Sequence, residues 1–161
     1  MKCPCDSTSD YDACCGPFIS GEKHPTTPEQ LMRSRYTAYS LSNTHYIKNT
    51  MQGKAALGFD EEQARHWSQR IIWIKLQVIQ TSLQDKNSGQ VEFIASFVEH
   101  GKLKTIHEKS EFHRLDKHWF YVNGQPQQPS QNKTVSRNTS CPCGKPNKFK
   151  NCHGKNHAVN E

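Results

Sequence analysis

Apolar residues concentrate between Leu31 and Val122, and their period changes near position 70. Before that point the spacing is helical. In "HPTTPEQLMRSRYTAYSL", Thr27 reads as an N-cap, Pro28 as a first helical residue and Gln30 as the reciprocal partner of a capping box. The helix should run from Pro28 to about Leu41, with Ser42 and Asn43 as a break. "NTHYIKNTM" continues as a shorter helix, and Gly53 to Gly58 reads as a loop. Asp60 followed by Gln63 marks a second capping box, opening a helix that reaches about Gln69. After it the period falls to two. "IIWIKLQVIQTSLQ", "QVEFIASFVEH", "KLKTIHEKSEFHRL" and "WFYVNG" read as four strands, separated by turns at "DKNSG", Gly101 and "DKH". Helices followed by a meander imply an α+β fold, with helices packed on one face of a curved antiparallel sheet.

Two polar residues interrupt the apolar faces. On a helical wheel with Leu31 at zero, Ala38 falls near −20°, Arg35 near 40° and Tyr39 near 80°, so Arg35 lies inside the apolar stripe. Arg33, near 200°, should face solvent. In the third strand, Ile106 and Phe112 mark the inward face, and alternation places Glu108 and Ser110 on it too. An unpaired buried ion costs several kcal/mol. An Arg35–Glu108 ion pair is therefore expected, with Ser110 or Tyr36 nearby. It would be either an internal strut or part of a polar-lined pocket with Tyr39. Trp67, Trp73 and Trp119 read as core or rim residues. The scattered histidines (His24, His45, His66, His100, His107, His113, His118 and His157) have no metal spacing with a neighbour and read as mostly surface residues.

The seven cysteines lie outside this domain, in "CPCDSTSDYDACCG" at 3–16 and "CPCGKPNKFKNCHG" at 141–154. Both stretches obey C-x-C, eight residues, then C-[C or H]-G, and the exchange of Cys15 for His153 is informative. Imidazole forms no disulfide, whereas thiolate sulfur and imidazole nitrogen are both good tetrahedral zinc ligands. Cys3, Cys5, Cys14 and Cys15 would hold one structural zinc ion; Cys141, Cys143, Cys152 and His153 would hold another. Four protein ligands leave no open position for catalysis. Redox-active or disulfide-forming clusters are the alternative. Tyr11 and Phe149 occupy equivalent positions and should form small apolar lids.

The chain has 161 residues, of which 33% are hydrophobic, too few for one large globule. The expected organisation is a zinc module at 1–20, a central domain at 27–126, a flexible linker at 127–138 and a second zinc module at 139–156. Net charge is +6, which favours acidic partners. The modules differ in sign: the first carries Asp6, Asp10 and Asp12, the second Lys145, Lys148 and Lys150 with no acidic residue. Those lysines are the candidate partner-binding set; a merely solvated surface is the plain alternative. No run approaches the roughly 18 apolar residues of a membrane span, and the N-terminus lacks an apolar signal region, so a cytoplasmic protein is expected.

The cysteine spacing resembles the SEC-C motif, the short zinc module at the C-terminus of the SecA translocase. The second copy is the closer match, and the first has Asp6 where the motif prefers glycine. The helix-then-sheet order resembles the NTF2-like cone. "LMRSRYTAY" and "WFYVNG", with "VEFIASF" and the two cysteine runs, make the whole chain resemble the YchJ-like family: SEC-C motif, NTF2-like domain, SEC-C motif. His153 departs from the second cysteine common in that family. The resemblance implies an architecture and no reaction, so a non-catalytic role is expected. Three functions compete: a zinc-binding adaptor docking its basic module on an acidic protein, ribosome or lipid; a small-molecule binder or enzyme using the pocket; and a nucleic-acid binder using the basic tail. The oligomeric state stays open.

Overall fold

The computed structural model describes residues 1–128 and 132–155. Residues 129–131 of the expected linker, position 156 of the expected second module, and His157 lie outside the described residues.

Short helix α1 (Gly16–Ile19) leads to α2 (Pro28–Ser40), α3 (Thr44–Asn49), α4 (Gly53–Leu57) and α5 (Glu61–Arg70). Four strands follow: β1 (Ile72–Asp85), β2 (Ser88–Glu99), β3 (Lys102–Leu115) and β4 (His118–Pro126), paired in chain order as an antiparallel meander. The α+β expectation, with helices against a curved antiparallel sheet, holds, and a short further strand joins the expected four. So do the N-caps: Thr27 Oγ1 accepts from Gln30 N at 3.1 Å, and Asp60 Oδ1 accepts from Gln63 N at 3.0 Å. The reciprocal half of the first box reaches one residue further back, where Gln30 Oε1 accepts from Thr26 N at 2.8 Å.

Two expectations need correction. Gly53 to Gly58 is not a plain loop; its first five residues form α4. Lys54, Ala55, Ala56 and Leu57 are good helix formers, and Ala55 packs against the cluster of Ala38, Tyr46, Ile47 and Met51. The linker is likewise partly structured. β4 pairs with β3 from Glu108 to Leu115. Lys133–Thr134 (β5) pairs with β3 opposite Lys102 and Leu103, and Val135 N donates to Gly101 O at 2.8 Å.

A bulge in β1 gives the sheet two working faces. It falls between Trp73 and Lys75, so Trp73 and Leu76 share the concave side although they are an odd three positions apart. That side packs against Leu31, Met32 and Tyr36 of α2, with Val91, Ala95 and Phe112 from the sheet. Ile74 joins Val98 on the opposite side, where both are buried beneath the C-terminal module. Among the described residues no helix is long and apolar enough to cross a membrane.

Candidate functional site

The N-terminal cluster is built by two turns. Cys3 and Cys5 sit on a tight loop, closed where Cys3 N donates to Ser9 O at 2.9 Å. Cys14 and Cys15 follow a single 3-10 turn, Tyr11–Ala13, and lead into α1. The C-terminal cluster repeats the plan, with its 3-10 turn at Phe149–Asn151. In each cluster the four potential ligand atoms lie within 4.8 Å of one another. A tetrahedral zinc with Zn–S near 2.3 Å needs sulfurs about 3.8 Å apart. Cys5 and Cys14 are 3.6 Å apart, Cys14 and Cys15 3.9 Å, and Cys143 and Cys152 3.7 Å. His153 Nδ1 stands 3.3 Å from both Cys141 Sγ and Cys152 Sγ. The donor chemistry and spacing thus fit a tetrahedral cation in both places. Crowded thiols cannot ionise equally: the hydrogen bond from Cys15 holds Cys5 low, and the same contact with burial pushes Cys15 up. Phe149 covers its cluster from within the core, and Tyr11 packs half-buried beside the other.

The two modules attach differently, and neither hangs free. Cys3, Cys5 and Cys15 belong to the same core as Leu31 and Phe112. Arg33, expected in solvent, is instead covered by this module: its Nη1 donates to Cys5 O at 2.7 Å and its Nε to Glu29 at 3.2 Å. Asp6 explains its departure from glycine. It holds the left-handed conformation, φ 60°, matching φ 87° at Gly144 in the second copy. Its carboxylate also accepts from Leu76 N at 2.7 Å, just past the β1 bulge. Asp6→Ala should cost about 1–3 kcal/mol by orphaning that amide and placing Cβ-bearing alanine in a disfavoured region. Asp6→Asn, which keeps an acceptor and tolerates that backbone, should cost less. Thermal unfolding midpoints of the two variants check the order. The C-terminal module lies against Ile74 on the other side of β1, where burial and then Lys145 pull the His153 imidazole below its ordinary value. Lys145 and Lys148 are exposed and Lys150 is half-buried, and among the described residues none forms an ion pair.

Between α2, α5 and the concave sheet lies a cavity of about 210 Å³. Arg35, Tyr36, Tyr39, Glu108 and Ser110 all line it. The expected Arg35–Glu108 ion pair does not form. Arg35 is 7% exposed, and its Nη1 donates to Ile47 O at 2.8 Å and Thr50 Oγ1 at 2.6 Å. Its guanidinium carbon stands 4.6 Å from the centre of the Tyr121 ring. Glu108 Oε1 instead accepts from Ser110 Oγ and Tyr121 Oη, both at 2.8 Å. The two ions share Tyr121 between them, because the end of α3 reaches Arg35 first. Among the described residues no acceptor meets Arg35 Nε or Nη2, and no donor meets Glu108 Oε2. Burial pulls Arg35 down from its ordinary value and pushes the Tyr39 and Tyr121 phenols up, so both tyrosines stay neutral donors.

Aromatic rings complete the wall. Trp67 and Trp73 meet edge to face at 5.5 Å, Tyr36 and Trp73 at 5.2 Å, and Tyr39 and Trp67 at 6.0 Å. Trp67 and Trp73 read as core or rim and prove to be cavity wall; Trp119 is core. Tyr121 went unnoticed in the sequence, although its alternation with Trp119 in "WFYVNG" marked a residue that could face inward. Gly124 permits this arrangement, since a Cβ there would overlap the Glu108 carboxylate and the Tyr121 hydroxyl. Gly124→Ala should therefore lower unfolding free energy in urea by about 1–3 kcal/mol, by forcing both groups aside.

Known proteins match this architecture. The family model for YchJ, middle NTF2-like domain, covers residues 27–124. A UPF0225 protein of Geobacter sulfurreducens is 35% identical over 156 residues, spanning 94% of this chain and 97% of that protein. The chain belongs to the YchJ-like UPF0225 family. A second UPF0225 relative, from Serratia proteamaculans, is 36% identical over 163 residues, 95% of this chain and 97% of its own. The solution structure of a SEC-C motif containing protein from Rhodopseudomonas palustris aligns with TM-score 0.73 at 35% identity, covering 80% of this chain and all of that one. A crystal structure of a SEC-C motif containing protein from Psychrobacter arcticus aligns with TM-score 0.69 at 26% identity, covering 98% and 97%. The YchJ-like identity covers the central domain that holds the cavity, and the SEC-C likeness extends through the cysteine clusters.

Proposed function

We propose that this YchJ-like protein binds a small molecule in its NTF2-like cavity, and that two structural zinc ions fold the modules supporting that cavity. The observation that carries the reading is Arg35: a buried cation in an aromatic-lined cavity, with Nη1 anchored and the other edge without an acceptor among the described residues. An ion kept in such a place at a desolvation cost is a binding-site signature. The zinc ions would be held by Cys3, Cys5, Cys14 and Cys15, and by Cys141, Cys143, Cys152 and His153. Each ion would neutralise crowded thiolates and supply folding free energy to a module too small for its own core.

A fragment screen by backbone amide shifts tests the reading with the full zinc-loaded chain. Binders should perturb residues around Arg35, Trp67 and Glu108. A chemically varied set that perturbs none of them would overturn it.

The adaptor reading is favoured by one observation, the exposed Lys145 and Lys148 on a module with no acidic residue. It predicts affinity for an acidic protein or ribosome that falls with salt and disappears when Lys145, Lys148 and Lys150 become glutamine. Direct nucleic-acid binding through the same tail predicts the same losses for a DNA or RNA probe. Binding retained in that variant rules out the tail.

A further inference from the structure

We propose that the cavity takes a small aromatic carboxylate bearing a hydroxyl or amino donor on its ring, a proposal that rests on reading the cavity as the functional site. Three features select this class. Arg35 uses Nη1 on Ile47 and Thr50, which leaves the Nε–Nη2 edge for a bidentate partner. That edge matches two oxygens of a carboxylate, and fixing Nη1 sets its direction in advance. Glu108 is the complementary feature. Its Oε1 is occupied by Ser110 and Tyr121, and its Oε2, with no donor among the described residues, is open to a ring hydroxyl or amine. The walls between them supply the flat body's environment: Tyr36, Tyr39, Trp67, Trp73 and Phe93 offer faces and edges to one planar ring.

Size agrees with this class. About 210 Å³ accommodates one substituted ring. The selection also works by exclusion. A ligand without the anion leaves the Arg35 edge desolvated and unpaired, and one without the donor leaves Glu108 Oε2 in the same condition. Buried groups left unpaired reject analogues more strongly than lost apolar contact does.

The test titrates the full zinc-loaded chain with 4-hydroxybenzoate, benzoate, phenol and tyramine, following amide shifts and the Trp67 and Trp73 indole signals. The expected order places 4-hydroxybenzoate first, benzoate about tenfold weaker, and phenol and tyramine about 100-fold weaker. Arg35→Lys keeps the charge and loses the fork, and should weaken 4-hydroxybenzoate at least about tenfold, with its fold checked by circular dichroism. Should that variant not fold, the four-compound order on the unaltered chain decides alone. Phenol or tyramine binding as tightly as 4-hydroxybenzoate would overturn the ligand class and leave the cavity reading standing. Binding by none of the four would also overturn the class, and the wider fragment screen then decides separately whether the cavity binds anything.

Discussion

Cys5→Ser should unfold the whole chain, whereas Cys143→Ser should release only its C-terminal end. Both changes remove one of four metal donors, and structural zinc supplies about 10–16 kcal/mol to finger-sized peptides. What differs is what each module holds. Cys5 is fully buried, and Cys3, Cys5 and Cys15 share the core of Leu31, Met32, Tyr36, Val91 and Phe112. Asp6 further ties that module to β1, and Arg33 ties it to α2. Losing it opens the main core from one side. The expected cost is at least about 5 kcal/mol, comparable to the whole stability of an ordinary domain. The C-terminal module instead covers Ile74 and Val98 on the back of the sheet. Partial re-exposure of those two side chains costs about 2–4 kcal/mol. Cys143→Ser should therefore keep a cooperative transition, about 5–15 °C lower. Near-UV circular dichroism during heating separates the outcomes, because the tryptophans report on the central domain. Equal damage from both variants would contradict the asymmetry.

Arg35→Ala should cost about 3 kcal/mol, and Glu108→Gln less than about 1 kcal/mol. Arg35 makes two charge-assisted hydrogen bonds to the end of α3 and lies over Tyr121. Alanine removes those contacts and enlarges a cavity already present. Glutamine at 108 keeps an oxygen for Ser110 and Tyr121 to donate to. A direct ion pair would behave otherwise. Neutralising Glu108 would then strand a buried cation, at about 3–5 kcal/mol. Urea unfolding of the two single variants and the double variant measures the coupling. A small coupling energy agrees with the shared-tyrosine arrangement, and a coupling of several kcal/mol contradicts it.

How much of this was legible in the sequence depends on how local each cause is. The caps at Thr27 and Asp60 act within one helical turn, so residue type and spacing sufficed. The inward faces of Arg35 and Glu108 followed from helical and strand periods, and both residues do line the cavity. Their partners did not follow, because periodicity gives a direction and no distance. The end of α3 meets Arg35, and Tyr121 stands between the two charges. The β1 bulge was equally hidden. It brings Leu76 to the concave side with Trp73, and simple alternation across "IIWIKL" cannot locate it. Ile72, Ile74, Val98 and Leu103 make an apolar patch on the outer face, which the C-terminal module covers. The shared cysteine pattern was plain, and its consequences for each end were not. Identical spacing places one module in the core and the other behind the sheet, and the difference rests on Asp6 and on the apolar residues that each module meets.

The zinc content of the purified, reduced protein tests the claim beneath the rest, that one tetrahedral ion folds each end of the chain. Elemental analysis should find two zinc ions per wild-type chain and one in Cys143→Ser. A folded wild-type chain with fewer than one zinc ion, or with its clustered cysteines joined as disulfides, would contradict the account.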